Sequence, residues 1–269
     1  MKISVMLFPF HSQLINGDIS ADKLIGTLKD NGAEAVELMV GLEAKAPSIF
    51  EQLLKAVRDA DFSVACNDIG INLIGEAETR AARLEDAKRH IADSHSVLNT
   101  KRVLLYNSNV TPDMPLEEGR RIYAENLAML ADYADSFGIT ATIEDFDPTP
   151  DLACSAEHCL EILNAAGPKP KLTFDTGNFF EAGEVSTEVF PLVKDRIAHC
   201  HIKDVVLTPE GPRRKKSCVI GEGIADIAQC VRLLDGIGYD GYLSVEIGGS
   251  KLEDAVTGIK FLNKCLGRE

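Results

Sequence analysis

The sequence predicts an α/β protein: a closed parallel (β/α)8 barrel forming a single domain over residues 1–269. Three observations carry that prediction. Short apolar runs alternate with longer helical patterns from one end to the other. The alternation repeats as eight strand–helix units, with no linker, low-complexity tract or shift in composition between them. The length of 269 residues lies near the ~250 typical of such a barrel. No Gly-x-Gly-x-x-Gly follows the first strand, which weighs against a dinucleotide-binding doubly wound sheet.

The strands are expected at 2–8, 34–39, 62–67, 102–106, 139–144, 171–175, 196–202 and 241–246. The helices between them are expected at 20–31, 47–61, 78–98, 116–137, 155–166, 186–193, 224–236 and 251–265. Asn31-Gly32, Gly138 and Gly167-Pro168 stop three of these helices, and Pro47 opens another. The helix at 78–98 sets Arg80, Arg83, Lys88 and Arg89 among acids at i,i+4-like spacings, the pattern of a solvated face.

Composition bounds the function. Hydrophobic residues make up 45% and charged residues 26%, enough apolar side chain for an enzyme-sized core. The 28 Lys and Arg against 42 Asp and Glu give a formal charge of -14, which repels phosphodiester backbones and argues against nucleic acid as a partner. Seven cysteines without a CxxC pair fit a reducing cytoplasm better than a disulfide framework. The opening residues do not form a signal peptide, and no apolar run reaches the ~18–20 residues of a membrane span, so a cytoplasmic location is expected. An acidic surface does not prevent homo-oligomer formation.

The stretch Asp195–Asp204 concentrates the chemistry. It reads as a buried strand with His199 and His201 two apart, hence on one face, and Cys200 on the other. Three further strands finish in a carboxylate, at Glu144, Asp175 and Glu246. Each of these ends a polar row. Thr140 and Thr142 precede Glu144, Lys171 and Thr173 precede Asp175, His199 precedes His201, and Ser244 precedes Glu246. The opposite rows, such as Ile139-Ala141-Ile143, are apolar and free to pack on outer helices. The C-terminal strand ends of a barrel converge on one face. Glu144, Asp175, His201 and Glu246 are therefore expected to meet around one divalent ion. Three carboxylates and one imidazole favour Mn²⁺ or Mg²⁺, with Co²⁺ or Zn²⁺ tolerated.

With these residues in place, the chain resembles the xylose isomerase-like TIM barrel superfamily, in its branch of sugar phosphate isomerases and epimerases related to the AP endonuclease 2-type barrel. The resemblance rests on Ile143-Glu144, Phe174-Asp175-Thr-Gly-Asn178, His199-Cys-His-Ile-Lys-Asp204, Gly221-Glu-Gly223 and Val245-Glu246, all in the second half of the chain. It implies Glu144, Asp175, His201 and Glu246 as metal ligands, and Glu144 and Glu246 as the catalytic acid/base pair. It also implies a small sugar or polyol substrate whose proton moves through a cis-enediolate, giving isomerisation or epimerisation. Two positions depart from the pattern: many relatives carry His where this chain has Asn178, and free-ketose epimerases carry Glu where it has Pro150. Both argue against a free-ketose 3-epimerase. The DNA-repair branch needs extra histidines on the third and fourth strands, which here end in Asn67-Asp68 and Tyr106-Asn107.

Other residues keep two readings each. His199 contacts substrate or orients a ligand, against a satisfied core histidine. Lys203 holds a substrate oxygen, carboxylate or phosphate, against a salt bridge with Asp204. Asn178 is placed to hydrogen-bond a substrate hydroxyl. Glu37, ending an apolar strand, binds substrate or braces the barrel mouth. His11, in the loop Pro9-Phe-His-Ser, lines the pocket or is simply exposed. The basic cluster Arg213-Arg-Lys-Lys216 is a solvated loop or a lid that recruits an anionic substrate. Two rival functions remain: a dehydratase or lyase on the same scaffold, resembling inosose or dehydroshikimate dehydratases, and a non-catalytic sugar-binding barrel.

Overall fold

Period-two apolar runs become parallel strands, and amphipathic stretches become the helices that return the chain to the next strand. The computed structural model describes residues 1–146, 151–208 and 215–268. Pro150, Arg213 and Arg214, which bear on the choice of substrate and on the basic lid, lie outside the described residues.

In chain order the elements begin with β1 (Lys2–Met6), α1 (His11–Asn16), α2 (Ala21–Asp30), β2 (Ala35–Met39), α3 (Leu42–Lys45), α4 (Pro47–Asp59), β3 (Ser63–Gly70) and α5 (Ala77–Ser96). They continue with β4 (Arg102–Tyr106), α6 (Leu116–Asp135), β5 (Thr140–Glu144), α7 (Ala156–Ala166), β6 (Lys171–Asp175), α8 (Ser186–Val193) and β7 (Ile197–Ile202). The chain closes with β8 (Asp204–Leu207), β9 (Lys215–Cys218), α9 (Ile227–Gly236), β10 (Tyr242–Val245) and α10 (Leu252–Cys265). Eight strands close a barrel in the order β1-β10-β7-β6-β5-β4-β3-β2, and β8 pairs antiparallel with β9 in a separate hairpin. The expected (β/α)8 architecture is the observed one.

The chain divides into two compact units, Met1–Ala65 with Cys200–Glu269, and Cys66–His199. The boundaries fall inside β3 and β7. In the first unit, β1 pairs in parallel with β10 and β2, and β10 with β7; Ser244 stands level with His201. In the second, β3 to β6 run in parallel, with Thr142 level with Leu104 and with Lys171.

Side-chain contacts fix which row of β3, β6 and β10 faces the helices. Phe174 packs on Phe179 and on Phe190 of α8, with ring centroids 5.7 and 5.6 Å apart, so Thr173 and Asp175 point to the other side. In the first unit, a Cβ on Gly258 of α10 would sit 2.9 Å from Val245 Cγ1. The helix approaches the strand that closely only because residue 258 is glycine, and Ser244 and Glu246 face away from it. Asn67 donates to Ser94 of α5 at 2.9 Å, which turns Asp68 to the opposite side. The polar rows also touch across strands: Thr142 and Thr173 hydroxyls are 2.7 Å apart, and Ser4 and Ser244 share a short hydrogen bond. Ile143, Leu172, Phe174, Cys200 and Val245 of the apolar rows are fully buried.

Three expectations need correction. The segment after β1 is helical instead of a loop: Pro9 sits in a 3-10 turn (Phe8–Phe10) and His11 opens α1. Proline's fixed φ and missing N–H suit a first helical turn. The third strand continues past Asn67-Asp68 to Gly70, because Ile69 and Gly70 keep pairing with Leu105 and Tyr106 of β4. Lys215 and Lys216 lie in β9 instead of a loop, opposite Leu207 and Val206 of β8. Among the described residues, no helix is long and apolar enough to cross a membrane. All seven cysteines are free thiols.

Candidate active site

In the unit Cys66–His199 the chemistry gathers at the ends of β5 and β6. Glu144 is the last residue of β5 and Asp175 the last of β6. Asp175 is fully buried, and its Oδ1 accepts from the backbone N–H of Gly177 (2.6 Å) and Asn178 (3.0 Å), so the turn after the strand holds the carboxylate in place. Asp145, which follows Glu144, bridges the two strand ends: its Oδ1 accepts from the Asp175 N–H at 3.2 Å. Burial, reinforced by the nearby charges of Asp175 and Glu144, pushes the Asp145 carboxyl well above the ordinary carboxylate range.

Tyr106 ends β4 close to the same carboxylates. Burial and the charges of Asp68 and Glu144 push its phenol up to about 12, so it stays a neutral donor. A Cβ on Gly70 would lie 2.8 Å from its hydroxyl oxygen, so glycine at that position makes room for the ring. Asn178 and His199 are both buried in this unit.

In the unit Met1–Ala65 with Cys200–Glu269, His201 stands between two carboxylates. Its Nε2 is 2.9 Å from Glu37 Oε1, and its Nδ1 is 3.6 Å from Glu246 Oε2. Glu246 follows β10, and its backbone N–H continues the ladder to Ile202. Lys203 Nζ meets Glu246 Oε1 at 2.7 Å, with both side chains nearly buried. The sequence offered Asp204 as the bland partner of Lys203. In the structure Asp204 instead binds backbone. Its Oδ1 accepts from Val205 and Ala225 N–H (2.9 and 3.1 Å), and its Oδ2 from Gly221 and Gly223 N–H (both 2.9 Å). The Gly221-Glu-Gly223 motif is thus a backbone nest around one carboxylate. His11 is partly buried beside Lys45 and Glu43; burial first and Lys45 second lower its pKa, against a smaller upward pull from Glu43.

The expected residues therefore fall into two groups. Glu144, Asp175, Asn178 and His199 belong to one unit; His11, Glu37, His201, Lys203 and Glu246 belong to the other. Within them, the structure brings Glu144 and Asp175 to a shared carboxyl cluster, and His201 to Glu37 and Glu246. Asp145 and Tyr106 are additions that the sequence reading did not make. Asp145 falls on the supposedly apolar parity, and a lone Tyr at a strand end carries no spacing signal.

The chain is 28% identical to fructoselysine 3-epimerase of Escherichia coli O157:H7 over 127 residues, 46% of this chain and 44% of that protein. It is 31% identical to inosose dehydratase of Clostridium perfringens over 87 residues, 28% of this chain and 29% of that one. The matched stretches span less than half of either relative's length. Among solved structures, the IOLI protein with a bound zinc atom superposes with a TM-score of 0.77 at 17% identity, covering 100% of this chain and 99% of that one, a likeness of fold. A family model for the xylose isomerase-like TIM barrel matches residues 25–265, and the chain belongs to that family.

Proposed function

We propose that this protein is a divalent-metal-dependent isomerase or epimerase of a small sugar, sugar phosphate or polyol. Glu144, Asp175, His201 and Glu246 are its metal ligands. The observation that carries the reading is that Glu144 and Asp175 end β5 and β6, His201 is the last residue but one of β7 and Glu246 directly follows β10, strands adjacent in the barrel order. Their chemistry fits a cation. Burial first, and then the charges of Asp175 and Glu144, push the Asp145 carboxyl up, and a cation beside these carboxylates offsets the repulsion among them. The oxygen-rich donor set favours Mn²⁺ or Mg²⁺ over Co²⁺ or Zn²⁺.

When bound, such an ion polarises a substrate carbonyl and makes the neighbouring C–H more acidic. The chain's own residues do the rest. One of Glu144 and Glu246 takes the proton from the carbon between carbonyl and hydroxyl, and the other returns a proton to the opposite face or to the adjacent carbon. Lys203 holds Glu246 Oε1 at 2.7 Å and so fixes the orientation of that carboxylate. Asn178, His199 and His11 contact substrate oxygens, and Tyr106, kept neutral, adds a hydroxyl donor beside Glu144.

A second reading has support in the similarity to an inosose dehydratase. There the same first proton abstraction is followed by loss of a β-hydroxyl as water. Incubation of ketoses, their phosphates and inososes with Mn²⁺-loaded protein in D₂O separates the two. Solvent deuterium at one carbon of an isomerised product is the expected result, with Glu144→Gln and Glu246→Gln slowed ~10²–10⁴-fold. Loss of water supports the dehydratase. Unchanged turnover in both variants removes the carboxylate mechanism.

A further inference from the structure

We infer that Glu37 is a positioning residue for His201: its carboxylate holds the imidazole as the Nε2–H tautomer and leaves Nδ1 as the lone-pair nitrogen. In its functional consequence this rests on the metal reading above; in its structural content it does not.

Glu37 lies inside β2, a run of otherwise apolar residues, and is 1% exposed. A carboxylate so deep is costly without strong partners. One of them is His201 Nε2 at 2.9 Å, from a residue 164 positions away on β7, so the pairing is a product of tertiary structure. A carboxylate only accepts hydrogen bonds, so a neutral His201 must place its ring proton on Nε2. The ring's other nitrogen, Nδ1, is then the acceptor. It faces Glu246 Oε2 at 3.6 Å, beyond hydrogen-bond range but close enough for both atoms to face one cation. Two strands fix the ends of the arrangement. β2 is held in register with β1, where Glu37 stands level with Met6, and β7 is held by β10, where His201 stands level with Ser244. Rotation of the imidazole about its Cβ–Cγ bond would break the Glu37 contact, so Glu37 selects both the orientation and the tautomer. A carboxylate on the remote nitrogen also raises the basicity of the ligating one. Glu37 then acts on His201 and not on substrate, unlike either role the sequence suggested for it.

The test begins with metal-free wild-type protein labelled with ¹⁵N-histidine, with His201 assigned by a His201→Gln variant. At a pH above the histidine range, the expected spectrum shows His201 protonated on Nε2. A His201 protonated on Nδ1 overturns the inference without any variant. Mn²⁺ binding is then measured by titration calorimetry on wild type, Glu37→Gln and Glu37→Asp, with thermal unfolding as the check on folding. Glu37→Gln, which keeps the shape and loses the charge, is expected to bind Mn²⁺ about 10- to 100-fold more weakly, with Glu37→Asp recovering part of the loss. Affinity in Glu37→Gln within twofold of wild type also overturns it. If wild type takes up no Mn²⁺, the metal reading fails, while the His201 tautomer still decides the role of Glu37.

Discussion

Asp204 shows how much one side chain can organise. Its two oxygens take four backbone N–H groups, from Val205, Gly221, Gly223 and Ala225, at 2.9–3.1 Å. The side chain is 1% exposed, so those donors have no ready substitute in water. Each buried donor left unsatisfied costs ~1–3 kcal/mol. Asp204→Ala should therefore destabilise the protein by at least ~3 kcal/mol, read as a lower urea midpoint, while Asp204→Asn, with one acceptor oxygen left, falls between. The pattern His-Ile-Lys-Asp marked this aspartate in the sequence but not its role. Sequence parity could find Glu144, Asp175, His201 and Glu246, because each ends a polar row. It could not find Asp145, which sits one residue out of phase and reaches the Asp175 N–H only through the path of the chain beyond β5. Nor could it pair Glu37 with His201, since nothing local links residues 164 apart.

At the level of elements, glycine positions separate close approach from mere flexibility. A Cβ on Gly223 would sit 2.1 Å from Asp204 Oδ1 and 2.4 Å from the Val205 carbonyl oxygen, which cannot move without breaking the nest. Gly26, inside α2, has nothing within 4 Å of such an atom and an ordinary helical φ. Gly223→Ala should cost ~2 kcal/mol or more through overpacking, whereas Gly26→Ala should stabilise by ~0.5–1 kcal/mol through lost chain entropy in the unfolded state. Equilibrium unfolding of the two variants checks both signs. Helix starts are set by local chemistry: Ser20, Ser155 and Asp226 cap α2, α7 and α9 through hydrogen bonds of 2.9–3.2 Å. The β8–β9 hairpin was not legible. Asp204–Leu207 has a strand-like run of Val and Leu, but its partner Lys215–Cys218 is Lys-Lys-Ser-Cys, which has little intrinsic preference for strand. That pairing is set by what β8 offers, not by the sequence of β9.

For the whole molecule, the barrel was readable because eight repeats of one rhythm leave few topologies that satisfy right-handed parallel connections. Function was readable only to the point where the donors could be named. Epimerase and dehydratase share the first proton transfer, and the residues that choose between them act on a substrate the sequence does not describe. The central claim, that Glu144, Asp175, His201 and Glu246 hold one divalent cation for that transfer, has a direct test. Protein equilibrated with Mn²⁺ and freed of excess ion is assayed by elemental analysis beside Asp175→Asn and Glu246→Gln. The account predicts one metal per chain in wild type and marked loss in both variants. Wild-type protein free of bound metal, or variants that retain it in full, would contradict it.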